Sequence, residues 1–203
     1  MINENQEHGL PCTPSGECEP NAKEPKIVNV GGTEYDLGHL RPFTVVYDYP
    51  ATGKKPAASF SVNVSFSHHC YSSGLPRKSE TFDSKLLFEV NGDKRLFDLR
   101  RWKLSKHLPA IITKLSSRKC EQSGRGNFFT VAIIEEDGST VEYEVFFRVW
   151  KPGRGRLFIH IESAYVRDGD YKSSRPASTA ISFFVILDNT RRERPIHGDP
   201  FAR

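Results

Sequence analysis

A strict alternation of apolar and polar side chains from Ala58 to Phe66 constrains the fold of this chain more than any other feature. Every second residue in this stretch is apolar, and each residue between them is a serine or an asparagine. Because successive side chains of a β-strand point to opposite faces, the pattern predicts a strand with one buried and one polar face. Residues 43–48 alternate too, and the Pro- and Gly-containing loop 50–56 separates the two stretches. The sequence therefore predicts an antiparallel hairpin.

A second hairpin is predicted at residues 85–90 and 94–97. Asn91 and Gly92 lie between the two stretches. This dipeptide tolerates the two positive φ angles of a type I′ turn, which joins antiparallel strands tightly. The N-terminal half of the fold is therefore expected to be built from hairpins.

One principal amphipathic helix is predicted over residues 105–118. Ser105 is the expected N-cap, and Pro109 falls in the first turn, where a missing N–H matters least. Apolar residues recur at helical spacing and predict a buried stripe. The stripe consists of Leu108, Ile111, Ile112 and Leu115.

The C-terminal half has the pattern of further strands. They are predicted at 128–134, 141–149, 156–166 and 181–187. Turn residues separate the first three, with Asp137-Gly138 in the first gap and Pro152-Gly153 in the second. Hairpin connections favour antiparallel pairing, so the predicted fold class is α+β, mainly antiparallel sheet with one principal helix and N-terminal hairpins.

Length and composition predict one domain with a polar segment at each end. At 203 residues the chain is long enough to bury a core without staples. Residues 1–26 are polar, contain four prolines and are predicted to be a disordered tail. The domain is predicted over 27–190, and 191–203 is predicted to be a basic C-terminal tail.

The same features bear on compartment and cofactors. No apolar run approaches the roughly 18 residues of a membrane helix, and the N-terminus lacks the basic and apolar parts of a secretory signal. A cytoplasmic protein with reduced cysteines and no membrane partner is therefore expected. Cys12 and Cys18 have five residues between them, whereas zinc ribbons typically pair cysteines about two to four apart, so neither a metal nor another cofactor is predicted.

Three stretches together resemble a known bacterial family. They are Phe66–Tyr71, Gly126–Val131 and Ser163–Asp168. The family has no assigned activity, and its members are labelled stationary-phase growth adaptation or heat-shock-like proteins. The resemblance covers most of residues 40–195 and implies a role in bacterial stress or growth adaptation, but no chemistry.

The predicted order of elements also resembles a nuclease fold. A helix followed by four antiparallel strands is similar to the fold shared by barnase, colicin nucleases and RelE-type toxins. That resemblance implies a carboxylate, an arginine and a histidine on the open face of the sheet. It concerns the fold alone, and a fold does not determine a function.

Strand alternation supplies candidates for such a site. If the odd-numbered residues of 141–149 are buried, Glu144 and Arg148 lie on the opposite face, and His160 and Glu162 join them from the next strand. A carboxylate can take the 2′-hydroxyl proton of RNA, a histidine with a near-neutral pKa can protonate the leaving oxygen, and an arginine can stabilise charge at phosphorus. The alternative is an ordinary solvated face with cross-strand ion pairs.

His68 and Cys70 continue the apolar face of the Ala58–Phe66 strand. Both are expected to line the end of the core, with His69 turned towards solvent. A metal half-site and a thiol–imidazole nucleophile are the functional alternatives. A buried free cysteine more often acts as a small apolar residue.

Positive charge is concentrated in residues 94–119. Nine basic residues and one acidic residue give this segment a net charge of +8, whereas the whole chain carries +4. Clustered cations beside Trp102 suit a polyanion such as RNA or DNA, and a solvated helix face is the alternative. The predicted nucleic-acid-binding residues are Arg100, Arg101, Lys103, Lys106, Arg118, Lys119 and Arg125.

Two hypotheses from different classes follow. The first is a toxin-like, metal-independent ribonuclease, and the second is a non-enzymatic binding or regulatory module with the same basic segment. A third possibility is a protein partner docked on the aromatic residues Phe146, Trp150 and Phe158. The ribonuclease requires Arg148 and His160 to be accessible and to converge.

Overall fold

The computed structural model describes residues 27–53, 56–76, 81–123, 126–134, 138–153, 155–166 and 178–196. The predicted N-terminal tail lies outside these ranges. The elements in chain order are β1 (Ile27–Val30), β2 (Thr33–Asp36), β3 (Phe43–Tyr49), β4 (Ala58–Phe66), β5 (Ser72–Ser73), β6 (Leu87–Val90), β7 (Asp93–Phe97), α1 (Leu99–Ser105), α2 (Leu108–Thr113), β8 (Lys119–Ser123), β9 (Gly126–Ile134), β10 (Thr140–Trp150), β11 (Leu157–Val166), β12 (Ser178–Ser182) and α3 (Phe183–Arg191). Within these ranges, no helix is long and apolar enough to cross a membrane.

A seven-stranded sheet organises the molecule. Its strand order is β12-β8-β9-β10-β11-β4-β3, and β11 pairs with β4 in parallel while the other neighbours are antiparallel. A three-stranded sheet of β5, β7 and β6 and the β1–β2 hairpin lie beside it. The mainly antiparallel α+β fold is confirmed.

Both predicted N-terminal hairpins are confirmed. β3 pairs antiparallel with β4, and β6 pairs antiparallel with β7. Asn91 has φ 52° and Gly92 has φ 82°, so both residues of the tight turn adopt the left-handed region. Asparagine and glycine tolerate this region better than other residues, which explains the turn at this position.

The core lies between one face of the large sheet and the helices α2 and α3. The Tyr47 hydroxyl of β3 donates a 2.7 Å hydrogen bond to the carbonyl of Ile112 in α2. The Phe183 ring of α3 lies 5.1 Å from the Tyr47 ring and 6.0 Å from the Phe147 ring of β10. The predicted stripe of Leu108, Ile111, Ile112 and Leu115 is buried as expected.

The predicted single helix over 105–118 is wrong in its bounds. The chain forms α1 and α2 instead, followed by a 3₁₀ turn at Leu115–Ser117. A continuous helix would need the N–H of residue 109 to donate to the carbonyl of Ser105, and Pro109 has no N–H. Pro109 therefore occupies the first turn of the new helix α2, and the predicted cap Ser105 is buried at the end of α1.

Asp98 is the N-cap of α1. Its side chain accepts a 3.0 Å hydrogen bond from the Arg101 N–H. We expect Asp98→Ala to lower the free energy of unfolding by about 0.5–2 kcal/mol, because an uncapped helix start leaves that donor without a partner. Urea denaturation measures the change. Asp98→Asn retains the cap and should cost clearly less, and equal losses in the two variants would contradict the capping role.

The predicted strand over 181–187 is also wrong. β12 ends at Ser182, and α3 begins at Phe183. Phe183, Ile186 and Leu187 are buried at the spacing of one helix face, which a short apolar run does not distinguish from a strand. β8 and the β1–β2 hairpin were not predicted. After α3 the chain continues to Ile196, whose side chain is buried, and residues 197–203 lie outside the described part of the chain.

Candidate functional site

The outer face of β10 and β11, opposite the core, carries all four predicted catalytic residues. Arg148 is the cross-strand partner of His160, and Trp150 is the partner of Phe158. Cross-strand partners project to the same side of a sheet, and the intervening residue Phe147 is fully buried on the core side. Arg148 and His160 therefore lie on one face, as the alternation predicts.

A β-bulge brings Glu162 towards Arg148. The pairing of β10 with β11 shifts between Phe146 and Phe147, and Glu162 is the extra residue opposite this step. The Arg148 guanidinium and the Glu162 carboxylate form a 2.8 Å ion pair. On the other side of Arg148, the Nδ1 atom of His160 shares a 2.9 Å hydrogen bond with the Ser65 hydroxyl of β4.

Glu144 lies on the predicted face, but the expectation that it is exposed is wrong. Its exposed fraction is 0%. Its cross-strand partner Tyr165 is covered by α1, because the Arg101 guanidinium carbon lies 5.0 Å from the centre of the Tyr165 ring. Alternation determines the face on which a side chain lies but not what covers that face. Glu144 is therefore not accessible as a base for a bound substrate.

The expectation of a near-neutral pKa for His160 is also wrong. Burial, together with the positive charge of Arg148 and the neighbouring His68, lowers the pKa of His160 to about 4. At pH 7 the imidazole is neutral and lacks the extra proton that a general acid would give to a leaving group. The arrangement retains an arginine, a carboxylate and a neutral imidazole.

The lowered pKa of His160 should make stability fall in mild acid. The folded protein binds fewer protons at His160 than the unfolded chain between the ordinary value of 6.5 and about 4. The free energy of unfolding should therefore decrease as the pH falls through this window, with His160 contributing about 1–3 kcal/mol. Urea denaturation between pH 7 and pH 4 measures the loss. His160→Gln should lose less stability over the same range, and an unchanged pH dependence would contradict the assignment.

Aromatic side chains lie on both sides of the Arg148–His160 pair. The rings of Trp150 and Phe158 stack at 5.6 Å, and those of Phe146 and Tyr165 stack at 5.5 Å. All four are half-buried. The predicted aromatic patch therefore lies on the same outer face as the polar group, and Tyr165 was not predicted to belong to it.

The basic segment divides into exposed and internal cations. Arg100, Lys103, Lys106 and Lys119 are exposed, Arg118 is half-buried, and the predicted residue Arg125 lies outside the described residues. The Lys106 ammonium lies 3.8 Å from the centre of the Trp102 ring, so this lysine packs along the helix it ends.

Arg101 connects α1 to the rest of the molecule. Its guanidinium donates hydrogen bonds to the carbonyls of His69 at 3.3 Å and Ser72 at 2.9 Å. It also pairs with Asp98 at 3.4 Å. These contacts give Arg101 a structural role at the edge of the outer face, in contrast to its exposed neighbours.

A second polar group lies beside the first. His68 and His69 form a 3₁₀ turn with Cys70, and both imidazoles face Asp93 at the start of β7. Burial lowers the pKa of His68 and lowers that of His69 to about 4, with the cation Arg95 adding to both shifts. Sequence reasoning missed Asp93, since only its position after the Asn91-Gly92 turn marks it.

Cys70 has no access to solvent. Its exposed fraction is 0%, and its thiol donates a 3.8 Å hydrogen bond to the carbonyl of Ile161. The prediction that Cys70 lines the core is confirmed. A thiol in this position cannot reach a substrate as a nucleophile.

Comparison with known proteins gives one match. A protein-family model described as the YjaZ family matches residues 27–191. The match begins where β1 begins and ends where α3 ends. Searches of the curated proteins and of the solved structures found no match.

Proposed function

Because the chain belongs to the YjaZ family, whose description names no reaction, we propose its function from geometry: it is a cytoplasmic nucleic-acid-binding protein without chemistry of its own. The observation that carries the proposal is the row of exposed cations on α1. The resemblance of the sequence to stationary-phase and heat-shock-like proteins supports a regulatory role in bacterial stress or growth adaptation.

The row is formed by helical spacing. Arg100 and Lys103 of α1 and Lys106, the C-cap of α1, follow one another at intervals of three residues, so their side chains leave the helix on one side. The opposite side of the helix carries Ser105, which is buried. Three cations on one side of a short helix concentrate positive charge, which favours contact with a phosphate backbone.

The outer face next to α1 favours a single strand over a duplex. Two stacked aromatic pairs flank Arg148, and Arg101 of α1 lies over Tyr165 at the edge of this face. Aromatic rings beside basic residues allow unpaired bases to stack without sequence preference. Paired bases do not offer their faces in this way, so single-stranded RNA or DNA is the proposed ligand.

A metal-independent ribonuclease is the second candidate. The convergence of Arg148, His160 and Glu162 favours it. Two observations weigh against it, since the pKa of His160 is about 4 and the Glu162 carboxylate is paired with Arg148. A site of this kind has a base and a charge-stabilising group but lacks a protonated acid at neutral pH.

One experiment separates these candidates. A labelled single-stranded RNA and a duplex of the same length are titrated with the protein, and total RNA is incubated with it in EDTA. We expect tighter binding of the single strand, weakening with salt, and intact RNA. Absence of binding at low salt would refute the nucleic-acid proposal, whereas RNA fragments that disappear in His160→Ala would establish the ribonuclease instead.

A further inference from the structure

The geometry points to a divalent-metal site, formed by His68, His69 and Asp93, that takes Zn²⁺ or a similar borderline cation. One ligand atom from each residue lies within 4.8 Å of the other two. Imidazole nitrogen and carboxylate oxygen are the donors of zinc sites that use three protein ligands. The inference uses no residue of the proposed nucleic-acid surface and does not depend on that proposal.

The distances are already close to those that a bound ion requires. The Nε2 atoms of His68 and His69 lie 3.3 and 3.9 Å from the same Asp93 oxygen, Oδ2. Two ligand atoms at about 2.0–2.1 Å from zinc in a tetrahedral site are separated by about 3.3 Å. The His68 pair meets this value at 3.3 Å, and the His69 pair exceeds it at 3.9 Å.

The fold holds the two imidazoles in position. The Ser67 hydroxyl caps the 3₁₀ turn by accepting a 3.2 Å hydrogen bond from the His69 N–H. The Ser72 hydroxyl donates a 2.8 Å hydrogen bond to the carbonyl of His68. Because the turn is fixed at both ends, the two histidines can bind an ion without the loss of backbone entropy that a flexible loop would undergo on binding.

Asp93 reaches the turn from a different element. It is the first residue of β7, directly after the left-handed residues Asn91 and Gly92. β7 is joined to the histidine turn through β5, because Ser72 pairs with Phe97. The site therefore links the 3₁₀ turn to the β6–β7 hairpin, so a bound ion would hold the two together.

Solvent access and charge determine the kind of site. The exposed fractions of the His68, His69 and Asp93 side chains are 15%, 39% and 50%, so an ion can enter and a fourth position can hold water. Arg95 lies 3.7 Å from the same Asp93 oxygen, and its positive charge opposes a cation. We therefore expect weaker, exchangeable binding than in a closed site with four protein ligands.

Isothermal titration of the full chain with Zn²⁺, and absorption spectroscopy with Co²⁺, test the site. We expect one ion per chain and a Co²⁺ spectrum without a thiolate charge-transfer band. Asp93→Asn and His69→Ala should each weaken Zn²⁺ binding by more than about tenfold, because even partners outside the ligand shell cost about 10–100-fold. Asp93→Asn removes a ligand charge at an exposed position, so the test does not depend on how His69→Ala folds.

Matched controls carry the same changes elsewhere. Glu89→Gln removes a carboxylate from an exposed position on the same hairpin, and His107→Ala removes an exposed imidazole. Both controls should bind Zn²⁺ as the unmodified chain does. Absence of Zn²⁺ binding, a thiolate band with Co²⁺, or unchanged affinity in Asp93→Asn and His69→Ala would each overturn the proposal.

Discussion

Replacing Arg100, Lys103 and Lys106 together by alanine should weaken the binding of single-stranded RNA by about 100-fold at 0.1 M salt. Each phosphate contact contributes about 0.7 to the slope of log affinity against log salt concentration, so three lost contacts reduce the slope by about two. Because 0.1 M lies one decade below the 1 M reference, a slope change of about two corresponds to a loss of about 100-fold in affinity. Fluorescence anisotropy with a labelled RNA at several salt concentrations measures both quantities.

The control for this variant removes the same charge from other exposed positions. Arg41, Arg192 and Arg194 are exposed, and their joint replacement by alanine also lowers the net charge by three. If RNA bound through a general electrostatic attraction, both variants would lose affinity equally. If RNA bound a defined surface on α1, the first variant would lose far more affinity than the control. Equal losses in the two variants would contradict the assignment to α1.

Strand patterns predicted the parts of this protein in which one face is buried. The alternation from Ala58 to Phe66 predicted β4, and the same reasoning on residues 141–149 predicted which side chains of β10 share a face. Because Arg148 and His160 both alternate with buried neighbours, their position on one face could be predicted, whereas the register that makes them cross-strand partners could not. Because side chains alternate along a strand, each residue lies on one of two faces, and an apolar pattern identifies the face that is buried.

The environment of each polar residue could not be predicted in the same way. Glu144 shares the face of Arg148, yet its exposed fraction is 0% because the chain around Tyr165 and α1 covers that end of the sheet. The pKa of His160 depends on burial and on the charges of Arg148 and His68. The three residues belong to three different elements. Such contacts join residues far apart in the sequence, and no local pattern records them.

The helices were mispredicted for a more local reason. Both α1 and α3 are short, and in each case a neighbouring sequence pattern led to the wrong prediction. Asp98 begins α1 as a cap, but the apolar stripe after Ser105 drew the predicted helix towards the C-terminus. Asp93, which faces both histidines, was also missed. It follows the Asn91-Gly92 turn, and that pattern predicts a hairpin but no functional site.

Phe147→Ala should lower the free energy of unfolding by about 3–5 kcal/mol. Phe147 has no exposed surface, and its ring lies 5.8 Å from Phe129 of β9 and 6.0 Å from Phe183 of α3. Truncation removes buried apolar surface and leaves a cavity at the contact between the large sheet and α3, and rigid strands relax little to fill it. Urea denaturation followed by tryptophan fluorescence measures the change in midpoint and slope.

Phe82→Ala is the matched control, since it makes the same chemical change where the ring is 44% exposed. It should change the free energy of unfolding by about 0.5 kcal/mol or less. The comparison isolates burial, because both variants alter the unfolded chain alike. Similar losses in the two variants would mean that the β10–α3 contact is not part of the cooperative core. The sheet that presents Arg148 and His160 on its outer face would then lack the rigid support that the proposed nucleic-acid surface requires.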